Sequence, residues 1–217
     1  MKQDLITFFK PKSIAVVGAS KNSVKIGHAT LKNILISDYQ CDIYPINPHE
    51  QQILGLKCYK TLNDVKSSID LVVVSVPAQH VEDIIKQAAQ KNIKNAIIIS
   101  SGFSEIGSHE EEQKIKTIAT KHNMRILGPN TMGYKNASDG LDASFVFGVP
   151  RKGNLALISQ SGALGIGMIY LANNEYVGVS KIIGVGNKLD IDDDDLIDYF
   201  SNDDETQVAR IGFLYAS

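Results

Sequence analysis

The chain has 217 residues, a formal net charge of −2 and a hydrophobic fraction of 43%, the balance of a soluble globular protein of one or two domains and not of a disordered one. Its longest apolar runs, Leu71 to Val76 and Ala96 to Ile99, fall far short of the ~20 residues that span a bilayer, and Met1 to Phe9 has no long apolar h-region or small-residue cleavage site. Two cysteines, Cys41 and Cys58, can build neither a disulfide framework nor a four-ligand metal site, so the composition fits a cytoplasmic protein with reduced thiols.

In chain order, short apolar, β-branched runs alternate with amphipathic stretches, the pattern of buried parallel strands with crossover helices. Strands are expected at Ser13 to Val17, Asp42 to Ile46, Leu71 to Val76, Asn95 to Ser100 and Met124 to Leu127, with helices over Gly27 to Ile36, Val81 to Lys91 and His109 to Lys121. Together they predict a doubly wound, Rossmann-like α/β domain over residues 1–135. Residues 136–152 show no clear period and contain Ser138-Asp139-Gly140 and Gly148-Val149-Pro150, which reads as a linker. A second α/β unit is expected over 153–217: strand Asn154 to Ile158, helix Ala163 to Asn173, strand Val179 to Val185, helix Asp193 to Phe200 and strand Val208 to Leu214. Three strands and two helices are few for a parallel sheet, so this second domain is expected to be incomplete.

Charge divides unevenly between these parts. Residues 1–135 hold 17 Lys/Arg against 12 Asp/Glu, a balance of +5, and residues 136–217 hold 5 against 12, a balance of −7. The basic half suits a phosphate-bearing small molecule but lacks the dense cationic stripe with interleaved aromatics of a nucleic-acid binder.

The first motif, Val17-Gly18-Ala19-Ser20 followed by Gly27, stands between the first strand and the first helix. Glycine there permits a tight turn and a close approach to phosphate, whose charge the helix N-terminus stabilises; the alternative is a plain strand-to-helix turn. A dinucleotide site needs Gly-x-Gly-x-x-Gly and an acid at the end of the second strand, whereas this strand ends Tyr44-Pro45-Ile46-Asn47-Pro48. That disfavours NAD, and no Walker sequence is present.

Several motifs in register then carry a family likeness. Pro11 to Ser20, Ile46-Asn47-Pro48, Val76-Pro77-Ala78, Ser101-Gly102-Phe103-Ser104-Glu105, Leu127-Gly128-Pro129-Asn130, Gly153-Asn154, Ser159 to Leu164 and Gly186-Asn187-Lys188-Leu189-Asp190 occur in one order along nearly the whole chain. The sequence resembles the ADP-forming acyl-CoA (acetyl-CoA) synthetases, and is similar to the α subunit of succinyl-CoA ligase. The resemblance implies a Rossmann-like CoA-binding domain followed by the start of a flavodoxin-like, succinyl-CoA ligase-like domain. It implies that Gly18, Ala19, Ser20 and Gly27 cradle CoA phosphate, with further contacts at Asn47, Pro48, Val76, Pro77 and Ala78; the alternative for Asn47 and Pro77 is fold punctuation.

By the same resemblance, the helix start at Ser159, Gln160, Ser161 and Gly162 holds the phosphate of a phosphorylated histidine. A structural N-cap at Ser161 is the competing reading, and a hydrolase nucleophile is disfavoured by the missing Gly-x-Ser-x-Gly and by the lack of an evident acid and histidine after it. The run Asp190 to Asp195 lacks the glycine and glutamate of an EF-hand and is expected to cap the following helix, with the remaining aspartates solvated. The five histidines have no metal-ligand spacing. Glu105 could serve as a general base, though a turn or cap role fits it better.

The reaction implied is acyl-CoA + ADP + phosphate = acid + ATP + CoA, by way of a phosphohistidine. In the family that histidine follows the strand that here reads Ile211 to Tyr215, and none lies beyond His122 in this sequence. The expectation is a CoA-binding fragment, subunit or degenerate paralogue, incompetent alone, whose partner is an ATP-grasp (β-type) subunit or the rest of a fused synthetase. Two other classes stay open: an NAD(P)-binding oxidoreductase or sensor module, and a non-catalytic interaction protein that docks through its acidic region.

Overall fold

The structure, a computed structural model, describes residues 5–212. The first sheet is built from β1 (Ser13–Val17), β2 (Asp42–Ile46), β5 (Leu71–Val74), β6 (Asn95–Ile98) and β7 (Arg125–Leu127) in the spatial order β2-β1-β5-β6-β7. All its pairings are parallel. Every residue of β1, β5 and β6 is buried, as strands covered on both faces must be. Alternate side chains feed two separate cores: Ile14, Val16, Leu71 and Val73 pack on one face, Ala15, Val17, Val72 and Val74 on the other. Helix α1 (Ile6–Phe9) precedes β1, α2 (Ile26–Ile36) follows it, and α3 (Ala78–Gln90) and α4 (His109–Lys121) form the later crossovers. In α3 the buried residues Val81, Ile85, Ala88 and Ala89 mark one helical stripe. A short hairpin, β3 (Gln52–Ile53) and β4 (Leu56–Lys57), lies between β2 and β5.

The second sheet departs from expectation. It comprises β8 (Gly133–Asn136), β9 (Leu141–Ser144), β10 (Lys152–Ser159), β11 (Val179–Gly184) and β12 (Val208–Gly212) in the order β12-β10-β11-β8-β9, with helices α5 (Gly162–Asn174) and α6 (Asp193–Phe200). Only β12, β10 and β11 run parallel; β8 joins β11, and β9 joins β8, antiparallel. The stretch read as an aperiodic linker, 136–152, thus contributes the end of β8, all of β9 and the first residue of β10. Polar residues hid the strands: Lys135, Asn136 and Ser144 are buried, because Lys135 pairs with Asp142 across the ladder and also donates to the Val146 carbonyl at 2.8 Å. Positions 213 and 214 of the expected last strand lie outside the described residues.

The two sheets share one core. Phe8 and Phe9 pack on Tyr134, with ring centroids 5.9 and 5.0 Å away, in the same cluster as Leu31, Ile34, Leu141, Ile158, Ile183 and Leu196. Tyr134 is fully buried and donates its hydroxyl to the Phe8 carbonyl at 2.8 Å, while Asn33 of α2 donates to the Ser144 and Val146 carbonyls at 2.9 and 3.1 Å. Tyr134→Phe leaves that carbonyl unpaired, and denaturant unfolding will show a loss of about 1–3 kcal/mol.

The acidic run is less solvated than its composition predicts. Asp192 caps α6, accepting from the Asp195 amide at 3.0 Å, and Asp193 pairs with Lys188 at 2.5 Å. Asp190 and Asp195 both engage Arg125 of β7, at 2.9 and 2.7 Å, so two aspartates expected in solvent instead clamp the second sheet's α6 to the first sheet. In β11, fully buried Lys181 pairs with Asp203 at 2.5 Å. Burial pushes the Asp203 carboxyl up, but hydrogen bonds from Lys181 and Thr206 outweigh it and hold the group below its ordinary 3.8. Its contribution to stability is therefore complete above pH 3.8 and lost only as pH falls through the lower folded value; Asp203→Asn will lower the melting temperature at pH 7 and flatten its decline in acid.

Candidate functional site

The nine residues singled out for CoA converge on one rim, formed by the C-terminal ends of the adjacent strands β2, β1 and β5, where open α/β sheets take ligands. Gly18 turns with φ +88°, and a Cβ there would lie 2.5 Å from the Ser75 carbonyl oxygen. A Cβ on Gly27 would lie 2.7 Å from the Gly18 carbonyl carbon and 2.9 Å from Ser75 Oγ. Only bare backbone lets the turn and the start of α2 close on β5. No side chain caps α2 or α3; the third amide of each, from His28 and His80, bonds the Lys25 and Pro77 carbonyls at 3.0 and 2.9 Å, and the amides ahead of them have no intrahelical acceptor.

Side chains fix this turn from neighbouring strands. Asn47 donates from Nδ2 to the Ala19 carbonyl at 2.7 Å and accepts from the His49 amide at 2.9 Å, so its amide ties the turn to the segment after β2. His28 Nδ1 lies 2.8 Å from the Ser20 carbonyl, and Ser20 Oγ accepts from the Asn22 amide at 3.1 Å. Ser75 Oγ donates to the Val17 carbonyl at 3.2 Å. Pro48 and Pro77 are exposed, Val76 and Ala78 half-buried. No carboxylate follows Ile46 directly, and Glu50 is neutralised by Lys21 at 2.6 Å.

Ser159, Gln160, Ser161 and Gly162 form a second group, at the C-terminal end of β10. Ser161 is the N-cap of α5, its Oγ accepting from the Leu164 amide at 3.3 Å, and Ser159 Oγ donates to the Ser161 carbonyl at 2.8 Å. As acceptor in the cap, the Ser161 hydroxyl keeps its proton for another partner. Gln160 is exposed, and a Cβ on Gly162 would meet nothing within 4 Å.

Three loops join the two groups. The loop after β6 is tied to the one after β5 by Ser100 Oγ, which donates to the Val76 carbonyl at 2.5 Å. The loop after β7 meets the loop after β11 through the Asn187 amide and the Pro129 carbonyl, at 2.9 Å. Glu105 has the partners that the sequence did not disclose: its carboxylate accepts from the Gly102 and Phe103 amides at 2.5 and 3.1 Å and from Asn187 Nδ2 at 2.7 Å. Burial would raise its pKa, but those donors hold it below the ordinary carboxylate range, which is the state of a turn acceptor and not of a base in need of a proton. The Arg125 clamp and Asn187's bridge escaped sequence reasoning because their partners stand 65 to 82 residues away.

A family model described as a CoA binding domain matches residues 12–137, and one described as a succinyl-CoA ligase like flavodoxin domain matches residues 152–213. The chain is 44% identical over 199 residues, 92% of its length, to the ADP-forming acetate–CoA ligase of Methanocaldococcus jannaschii. The chain belongs to the CoA binding domain family and carries a succinyl-CoA ligase like flavodoxin domain behind it. It is also 40% identical, over 94% of its length, to the ADP-forming acetate–CoA ligase II subunit alpha of Pyrococcus furiosus. It superposes with a TM-score of 0.95 and 42% identity, over 99% of its length, on the dinucleotide forming acetyl-coenzyme A synthetase 1 of Ca. Korarchaeum cryptofilum, solved with phosphate and ADP. The chain spans 28%, 45% and 46% of these three synthetases' own lengths.

Proposed function

We propose that this chain is the CoA-binding portion of an ADP-forming acyl-CoA ligase, with CoA phosphate held at Gly18, Ala19, Ser20 and Gly27. The observation that carries this is the Gly18–Gly27 turn, closed on bare backbone beside a helix that no side chain caps. Such a terminus is an anion site by construction. The donor set suits a diphosphate: backbone amides in a tight turn, flanked by the exposed residues 21 to 26.

When bound, CoA supplies the thiol that carries the acyl group. The chain's own residues orient it. Asn47 and His28 hold the Ala19 and Ser20 carbonyls, which fixes the peptide planes of the turn, and the turn Val76-Pro77-Ala78 offers an apolar edge at the next strand end. Ser161 and the amides of Gly162 and Ala163 form the second anion site, which we assign to the phosphoryl group of the reaction; the Ser161 hydroxyl donates to it while its oxygen caps α5. The phosphohistidine and nucleotide steps are assigned to other parts of the enzyme, either a β-type subunit or a fused remainder, acting in the cytoplasm.

The NAD alternative needs an acceptor for ribose hydroxyls at the end of β2, and there Asn47 is already engaged at both ends of its amide. Titration calorimetry with CoA and, separately, NAD⁺ will distinguish the two. CoA will bind the wild-type chain and not Gly18→Trp, and NAD⁺ will give no heat; NAD⁺ binding, or CoA binding indifferent to the Trp, contradicts the assignment.

A further inference from the structure

We infer that Glu105 is a positioning residue that couples the rim around Val76–Ala78 to the loop Gly186–Lys188 of the second sheet, acting through Asn187. Three donors converge on this one carboxylate, two from its own loop and one from across the domain boundary. The two amides belong to Gly102, held at φ +107°, and Phe103. A Cβ on Gly102 would stand 3.2 Å from Ala78 Cβ, and Ser100 of the same loop is bonded to the Val76 carbonyl. A ligand seated against Val76–Ala78 therefore bears on the loop that Glu105 braces.

On the other side, Asn187 Nδ2 also reaches Ser104 Oγ at 3.0 Å, and the Asn187 amide is bonded to Pro129. Gly186 packs so closely on Asn130 that a Cβ would lie 2.7 Å from its carbonyl oxygen. The Val185 amide donates to the Ser159 carbonyl at 2.9 Å, which reaches the Ser159–Gly162 group. A hydrogen-bonded path thus runs between the two candidate sites, and Glu105 is its exposed crossing point. Because that carboxylate is exposed, the bridge can open without unfolding the chain. Its chemistry is one-sided: every partner is a donor, so an amide in its place must set an N–H against one of them.

Glu105 can act in this way only if the chain binds CoA as proposed, and the test separates the two claims. Amide hydrogen exchange is measured with and without CoA on the wild-type chain, Glu105→Gln, and Glu105→Gln/Asn187→Asp, which reverses donor and acceptor across the bridge. In the wild type CoA will slow exchange both at 18–27 and at 185–189. Glu105→Gln will keep the first protection, lose the second and bind CoA about fivefold more weakly; the double variant, in which the Phe103 N–H still meets the Gln amide, will regain part of the protection at 185–189 and part of the affinity. A purely structural staple would instead lower the melting temperature and leave the CoA-dependent protection at 185–189 in place. Absence of CoA binding to the wild type overturns the proposed function and the coupling with it. Binding without protection at 185–189, or protection that survives Glu105→Gln, overturns the coupling alone.

Discussion

Gly27→Ala, one added carbon, will cost about 3 kcal/mol of stability and more than tenfold in CoA affinity. The new Cβ falls inside the van der Waals envelope of the Gly18 carbonyl and 2.9 Å from Ser75 Oγ. Neither can yield locally, since Gly18 is bonded to the Ile46 carbonyl at 3.1 Å and Ser75 to Val17. Helix α2 must move outward instead, and it carries Leu31 and Ile34 of the shared core and the Asn33 contacts to β9. That is the upper range of overpacking penalties. The affinity loss follows because the turn's amides are aimed by this contact; each charge-assisted hydrogen bond lost is worth about 1.5–3 kcal/mol, and 1.4 kcal/mol is a factor of ten. Denaturant unfolding and calorimetry on one preparation will give both numbers. A stable Gly27→Ala chain with unaltered CoA affinity would refute the role given to the turn.

Arg125→Ala will destabilise the chain by a similar amount, about 3 kcal/mol, through a different cause. The guanidinium is 11% exposed and faces Asp195 at 9% and Asp190 at 30%. Its removal leaves two carboxylates with their strongest counter-charge gone in a mostly dry interface, and one-sided removal of such a pair is costly where loss of both partners is not. In thermal unfolding the expected drop is roughly 6–12 °C for a chain of this size. Arg125→Lys, which keeps the charge but not the two-pronged geometry, will recover part of it. Because the clamp joins β7 to α6, the variant will also loosen the second sheet first, seen as faster proteolysis beyond residue 133.

The first sheet was legible because its strands obey a simple rule: Ser13–Val17, Leu71–Val74 and Asn95–Ile98 are buried on both faces and read as continuous apolar runs. Glycine positions in the candidate site were legible for a related reason, since a strand, a glycine turn and a helix in order constrain backbone and need no long-range partner. What stayed hidden depends on pairs distant in sequence. Strands β8 and β9 carry Lys135, Asp142 and Ser144, which are tolerable inside only because they meet one another. The aspartates of 190–195 look like a solvated run until Arg125 stands opposite two of them. Helix α1, at four residues, is too short to show a period, and its burial follows from the Phe8, Phe9 and Tyr134 stack. Glu105 showed no side-chain partner in the sequence because Asn187 stands 82 residues away and its two nearer donors are backbone amides.

The most direct measurement is the crystal structure of this chain grown with CoA. The CoA diphosphate will lie against the backbone amides between Gly18 and Gly27, with the pantetheine running past Val76–Ala78 toward Gly102, and Asn47 will still be bonded to the Ala19 carbonyl. CoA bound away from the ends of β1, β2 and β5, or a diphosphate that displaces Asn47 to make its own contacts, would contradict this placement.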